Sequence, residues 1–339
     1  MATAHPALAA KAPRSAPAIF QQSDLLGIQH LSPYEVHEIF ALTKSIKAKP
    51  AAFGTALKGK QYVMMFEKPS LRTRITFEAG INTLGGQALF MECPGGIESR
   101  EKAAYVARNL ERWVQGIILR TFKHSTVTEM AANAGVPVIN ALTDREHPCQ
   151  ALADFFTLQE KFDDLPKLKV AFVGDGNNVA HSLMLTAANL GSHFSLAVPQ
   201  GYEPVKDIVQ AAKQVAAQTG AVIEIGNDPQ AAVAGADAIY TDVWASMGQE
   251  SEAGKRDNIF RPFQVNAALM SLAAPHAVFM HCLPAHRGCE VTDEVLDSPQ
   301  SVVYDQAENR LHVQNAIMVL LAGARKGAKS ASAIQAGRA

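Results

Sequence analysis

The stretch Gln61-Tyr62-Val63-Met64-Met65-Phe66-Glu67-Lys68-Pro69-Ser70-Leu71-Arg72-Thr73-Arg74 decides the fold class. It opens on an apolar run of strand length, then a short turn, then a helical pattern that continues through Gly80. Ser70 suits the helix cap and Thr73 falls in the first turn. A helix start carries unpaired backbone N–H groups and the positive end of the dipole. Arginines in that first turn oppose the dipole unless an anion sits beside them. Ser70, Arg72 and Thr73 therefore read as a phosphate cradle, against the plainer reading of an ordinary cap with solvent-facing arginines.

Working outward, the same strand-then-helix unit recurs. Further short apolar runs lie at Gly116–Arg120, Val136–Asn140, Lys169–Gly174, Ser195–Val198, Ala221–Ile225, Ala238–Val243, Ala277–Leu283 and Val302–Tyr304. Helical patterns such as Glu101–Trp113, Pro148–Phe162, Ala180–Leu190 and Pro204–Gln218 lie between them. This alternation implies an α/β fold of parallel sheets with right-handed crossovers. About nine strands exceed one small sheet. The expectation is two domains, each a mostly parallel sheet flanked by helices, with the boundary in the helix that follows Pro148.

The composition agrees. A chain of 339 residues suggests about two domains. Hydrophobic residues are 48% and charged residues 19%, enough to bury a substantial core. With 31 basic and 32 acidic side chains the formal charge is −1, so no basic field for nucleic acid is expected. The apolar stretches are far shorter than the roughly twenty residues of a membrane helix. Four cysteines in a chain of this length are no disulfide framework, and reduced thiols in a cytoplasmic protein are expected. Residues 1–20 are rich in Ala and Pro and lack a secretory apolar block; a disordered tail is expected rather than a targeting segment.

In open parallel sheets, ligands lie at the carboxyl ends of strands. Arg120 ends one apolar strand. At His147-Pro148-Cys149-Gln150, proline in the first helical position makes His147 the cap residue and puts Gln150 in the first turn. A histidine there either caps its own helix or donates to a carbonyl oxygen that develops negative charge. Gly174-Asp175-Gly176-Asn177-Asn178-Val179 follows a strand and opens a helix, but lacks the third glycine of a dinucleotide fingerprint. No acid follows the next strand, so no nicotinamide cofactor is expected, and the two amides suit a small polar ligand. Asp242 leaves another strand and could pair with an amine. Cys282 leaves a further one. Cys282, His286 and Cys289 match no standard zinc spacing, so no metal is expected. Together these ends offer a phosphate cradle, donors for a carbonyl oxygen and an acid for an amine. That points to transfer of an acyl group from an acyl phosphate to an amine, without metal or cofactor.

Ser70-Leu71-Arg72-Thr73-Arg74, His147-Pro148-Cys149-Gln150 and His281-Cys282-Leu283-Pro284 together resemble the aspartate/ornithine carbamoyltransferase family. The resemblance runs from Asp24 to Gly323. Asp242-Val243-Trp244-Ala245-Ser246-Met247-Gly248, the Gly174–Asn178 turn and Glu308-Asn309-Arg310 resemble its ornithine branch. The resemblance implies a carbamoyl-phosphate domain at 21–150, an ornithine domain at 151–312, and a last helix, 313–325, returning to the first domain. It implies transfer of the carbamoyl group of carbamoyl phosphate to the δ-amine of L-ornithine, and a homotrimer or a multiple of trimers. Ser70, Leu71 through its backbone, Arg72 and Thr73 would hold the phosphate. Arg120, His147 and Gln150 would hold the carbamoyl group, and Arg310 would add charge. Asn178, Asp242, Ser246 and Met247 would hold the ornithine α-groups, with Cys282 and the Leu283 carbonyl beside the reacting amine. Within that implied set, Arg72, Arg120, His147, Cys282 and Arg310 are the catalytic candidates.

Two departures stand out. Leu71 replaces a threonine common in the family, at a position that contributes mainly backbone. The loop Pro94–Glu101 lacks the Gln or His that many ornithine enzymes send into the neighbouring subunit's site, and Ser99 and Arg100 are the candidates to replace it. Carbamoylation of putrescine, of an N-acylated ornithine or of aspartate, and a non-catalytic anion-binding relative, are the competing readings.

Overall fold

The computed structural model describes residues 20–245 and 253–323. The strands are β1 (Gln61–Phe66), β2 (Gln87–Glu92), β3 (Gly116–Arg120), β4 (Val138–Leu142), β5 (Lys169–Val173), β6 (His193–Ala197), β7 (Val222–Gly226), β8 (Ala238–Thr241) and β9 (Val278–His281). The helices are α1 (Pro33–Ala48), α2 (Leu71–Thr83), α3 (Ala103–Leu110), α4 (His124–Asn133), α5 (Pro148–Lys161), α6 (Asn178–Leu190), α7 (Lys206–Thr219), α8 (Pro229–Val233), α9 (Ala253–Phe260), α10 (Ala267–Met270), α11 (Asp293–Leu296) and α12 (Val303–Gly323).

Two separate parallel sheets result. The first has the order β2-β1-β3-β4 and the second β7-β6-β5-β8-β9. Parallel strands require crossovers, and helices supply them, so both faces of each sheet are covered and central strands are apolar throughout. β1 and β5 illustrate this, with five and four residues in succession buried. In each sheet the chain reverses its direction of travel next to the first strand, between β1 and β3 and between β5 and β8. Crevices open at the carboxyl ends of strands at such points.

One hydrophobic cluster runs through the inner faces of both sheets, from Leu25 to Leu321. Two smaller clusters cover the outer face of each sheet. The final helix α12 packs on α1, α2 and α5, so the chain's last described element lies against its first. No helix among the described residues is long and apolar enough to cross a membrane.

Two elements differ from the sequence expectation. Val302–Tyr304 is not a strand. Val302 N–H donates to the Phe279 carbonyl, one bond beside β9, and the chain turns at once into α12. The β-branched pair is read as strand locally, yet the helical period from Val303 onward buries Val303, Gln306, Arg310 and Val313. The last helix thus begins ten residues before position 313, and residues 324–325 lie outside the described residues. Conversely, β2 was not expected. Gln87-Ala-Leu-Phe-Met-Glu92 is rich in helix formers, and as an edge strand only part of one face is covered.

Candidate active site

Strand ends from both sheets meet around one cavity of about 760 Å³. From the first sheet, β1 leads into Ser70, whose hydroxyl accepts the Thr73 N–H at 3.4 Å and caps α2. Leu71, Arg72 and Thr73 follow on the wall. β3 delivers Arg120, and β4 delivers Thr143 and then His147 and Gln150 at the start of α5. From the second sheet, β5 delivers Asp175, Gly176, Asn177 and Asn178, β8 delivers Asp242, and β9 delivers Cys282 and Leu283. Arg310 reaches in from α12.

Apart from Ser99 and Arg100, every sequence-derived site candidate within the described residues lines this cavity: Ser70, Leu71, Arg72, Thr73, Arg120, His147, Gln150, Asn178, Asp242, Cys282, Leu283 and Arg310. Ser246 and Met247 lie outside the described residues. Residues 94–101 do not line their own chain's cavity. Ile97 N–H is held by Glu67 at 2.9 Å, and Glu98 accepts from the Thr126 hydroxyl at 3.1 Å.

The wall near α2 is strongly cationic. Arg310 is 3% exposed and donates to Gln150 Oε1 and to the Thr73 hydroxyl. Its buried Nε has no hydrogen-bond partner among the described residues. Burial, together with Arg310, pulls Arg120 down to about 10, and burial lowers Arg310 as well; guanidiniums stay charged at neutral pH in proteins. Two close, desolvated cations are costly without a counter-anion. His147 does not cap its helix by its side chain. Burial, then Arg310 and Arg120, hold its imidazole well below the usual value, so it is neutral. A neutral imidazole keeps one N–H to donate.

The opposite wall is acidic and amide-rich. Asn177 caps α6, accepting from Val179 and Ala180, and donates its amide to Asp242 at 2.8 Å. Cys282 Sγ donates to the other Asp242 oxygen at 3.1 Å. Burial and Asp242 push the thiol well above its ordinary value, so it is a protonated donor and not a thiolate. Asp242, His281 and Cys282 bring their donor atoms within 4.8 Å of one another. The thiol proton faces Asp242 and His281 Nδ1 accepts the Leu283 N–H at 2.8 Å, so all three are engaged internally. Gly176 comes so close to the Tyr202–Pro204 backbone that a Cβ would lie 2.5 Å from it.

The sheets are tied together at the cavity floor. Asn178 donates to the Thr143 carbonyl at 2.7 Å, and His147 N–H donates to Ser182 at 2.9 Å. His181 accepts the Val205 N–H on Nε2, which leaves Nδ1–H to donate to the Arg145 carbonyl at 2.8 Å. Asp175, raised to about 6 by burial, accepts from Arg256 at 2.7 Å. Asn177, one of the two amides of the Gly174–Asn178 turn, lines the cavity, as do Lys123, Asp144, Asp175 and His181, to which the sequence assigns no role. Lys123 and Asp144 each sit a few residues past a strand end, so the strand-end rule could have found them.

Two family models match in tandem. One, for the carbamoyl-P binding domain of aspartate/ornithine carbamoyltransferase, covers residues 23–160, and the other, for the Asp/Orn binding domain, covers 166–321. A relative from Symbiobacterium thermophilum named ornithine carbamoyltransferase is 52% identical over 301 residues, 88% of this chain and 97% of its own. One from Pyrococcus furiosus, named as the anabolic ornithine carbamoyltransferase, is 50% identical over 309 residues, 89% of this chain and 97% of its own. The solved ornithine carbamoyltransferase structure from Pyrococcus furiosus superposes with a TM-score of 0.88 at 48% identity, covering 91% of this chain and 100% of that one. The junction between the two matched models, residues 161–165, falls in the segment that joins the two sheets, and on these matches the chain belongs to the aspartate/ornithine carbamoyltransferase family.

Proposed function

We propose that this chain transfers the carbamoyl group of carbamoyl phosphate to the δ-amine of L-ornithine, giving L-citrulline and phosphate, a step of arginine metabolism. The observation that carries the reading is the division of one cavity into two walls. A capped helix start with Arg72, Arg120 and Arg310 faces an Asp242–Cys282–Asn177 wall from the other sheet. The names of the relatives support ornithine as the amine.

The chemistry follows from the groups present. Residues 21–150, with the helix around 313–323 packed on them, bind carbamoyl phosphate, and residues 151–312 bind ornithine. Ser70, the Leu71 backbone, Arg72 and Thr73 take the phosphate; Arg120, His147 and Gln150 take the carbamoyl group. Asp242 and Asn178, with Ser246 and Met247, take the ornithine α-groups. The δ-amine attacks as the neutral form, since an ammonium has no lone pair. A tetrahedral intermediate forms, and Arg72, Arg120 and neutral His147 donate to its oxyanion. One such donor contributes about 3–4 kcal/mol. The C–O bond to phosphate then breaks, and the leaving phosphate accepts a proton from the nitrogen of the new C–N bond. Cys282 is protonated, so in this scheme its thiol orients Asp242 and does not attack.

The assembly in this reading is a homotrimer or a multiple of trimers. An exposed apolar strip on α2 supports it, with Leu71 75% and Ile75 53% exposed one turn apart. A cytoplasmic setting is supported by four cysteines that are all free thiols.

The test is the initial rate of carbamoyl transfer from carbamoyl phosphate to ornithine, putrescine, N-acetylornithine and aspartate. Citrulline from ornithine alone is expected. Product from another amine instead would overturn the roles given to Asn178 and Asp242, and no product from any would favour a non-catalytic anion binder.

A further inference from the structure

Behind the cationic wall lies a buried carboxylate that the scheme above does not use. Asp154 is one turn along α5 from Gln150 and is fully buried. Its Oδ1 accepts from Gln150 Nε2 at 2.8 Å and from Gln306 Nε2 at 2.9 Å, and its Oδ2 accepts from the Tyr240 hydroxyl at 3.0 Å. Donors from α5, α12 and β8 thus converge on one side chain. Gln306 in turn accepts the His281 N–H at 3.0 Å, which fixes both ends of its own amide.

The two ends of a glutamine amide are nearly equal in size, and partners decide which end faces a ligand. At Gln150 both partners agree. A carboxylate accepts only, so the amide nitrogen must face Asp154. A guanidinium donates only, so the carbonyl oxygen must face Arg310. That oxygen has a second lone pair, and Gln150 and Arg310 both line the cavity. A fixed acceptor is therefore offered to any group bound beside Arg310.

We propose that Asp154 is a positioning residue: by holding the amide nitrogen of Gln150 it keeps the carbonyl turned to the cavity, so the site selects acyl phosphates whose acyl group carries an N–H donor over those carrying a methyl. The inference rests on the carbamoyl-transfer reading and refines it. An NH2 and a CH3 fill nearly the same space, so shape alone separates them poorly. A locked acceptor separates them, because a methyl leaves it unpaired. An inverted Gln150 would oppose one NH2 to another and lose the distinction.

The test uses two non-reacting phosphonates of matching shape. Phosphonoacetamide carries the NH2, and 2-oxopropylphosphonate carries a methyl in its place. Their dissociation constants are measured by calorimetry in the parent chain, Asp154→Ala and Asp154→Asn. The parent should prefer the amide by about tenfold or more. Asp154→Asn keeps an Oδ1 acceptor and should retain that preference within about threefold. Asp154→Ala should lose the preference while binding 2-oxopropylphosphonate within about threefold of the parent. A merely structural role would weaken both ligands alike, and that result overturns the proposal, as does an undiminished preference in Asp154→Ala.

A second readout needs no alanine variant. Burial raises the Asp154 carboxyl to about 6, so lowering the pH from 8 to 5 adds a proton and turns one acceptor oxygen into a donor. The titratable or charged groups facing it are Arg310 from α12, Tyr240 from β8 and Cys282 beyond β9. Burial keeps Tyr240 and Cys282 protonated and Arg310 remains charged throughout this range. Ionisation of the phosphonate is common to both ligands and cancels in their ratio. Protonated Asp154 presents the same pattern as asparagine, one acceptor oxygen and one donor, so the parent's amide preference should hold across this range as that of Asp154→Asn does; a preference lost as Asp154 gains its proton overturns the proposal. Citrulline formation by the parent is followed alongside. Failure to form it with ornithine would sink the transfer reading, whereas citrulline formation without an amide preference would sink this inference alone.

Discussion

Arg72 and Arg74 lie in the same turn of α2, and the structure sends them to different places. Arg72 lines the cavity. Arg74 places its guanidinium carbon 3.8 Å from the Phe90 ring centre and its Nε 3.5 Å from Glu78, so its charge is used on the outer side of the helix. Arg72→Ala should therefore lower kcat/KM for carbamoyl phosphate by about a hundredfold or more. Its unfolding free energy should change by less than about 0.5 kcal/mol, because a partly exposed side chain in the first turn of α2 is not core packing. Near-parent turnover in that variant would remove Arg72 from the phosphate wall. Such residues were legible beforehand for a physical reason. Ser70, Arg120, His147 and Asp242 each follow an apolar run, and the end of a parallel strand is where the backbone can aim a polar group at a crevice. The Asp154–Gln306 and Asp154–Tyr240 contacts join positions 152 and 86 residues apart, and no local pattern announces them.

At the scale of elements, periodicity identified the interior strands and failed at the margins. Central strands such as β1 and β3 are apolar on both faces, so their composition declares them. β2 lies at a sheet edge, where half its residues face outward and β-propensity is not required. Val302–Tyr304 has strand-like residues, but the helix that follows claims them. Glu146 shows how elements are joined. It sits between β4 and α5 and accepts the Ile28 N–H at 2.7 Å and the Ser182 hydroxyl of α6 at 3.2 Å. Complete burial pushes its carboxyl up to about 7, from 4.5 in the open chain. Between those values the folded chain keeps a proton that the unfolded chain has released. The group's contribution to stability is thus full below about pH 4.5 and declines to its floor near pH 7, a loss of about 3 kcal/mol. Glu146→Gln cannot ionise and should show a shallower fall in unfolding free energy across that interval, measured by urea titration at several pH values. Equal slopes would mean that Glu146 titrates normally.

For the whole molecule, the two sheets meet with their strand ends facing one cavity, and bonds such as Asn178 to Thr143 and Arg310 to Thr73 hold them there. The exposed apolar strip on α2, Leu71 and Ile75, lines a groove that adjoins the same cavity and shares Pro69, Ser70 and Leu71 with it. Association through that strip should give three times the chain mass, or a multiple of it, by light scattering; a monomer would contradict the trimer. The account's central claim is that one wall takes the phosphate donor and the other the amino acid. Its most direct test is the inhibition constant of a compound in which a phosphonoacetyl group is joined to the δ-nitrogen of L-ornithine. Joining the two ligands removes the entropy cost of bringing the second one in. The account predicts competition with carbamoyl phosphate and binding at least about a hundredfold tighter than phosphonoacetamide. Binding no tighter than phosphonoacetamide would mean that the two walls do not hold the two substrates of one reaction.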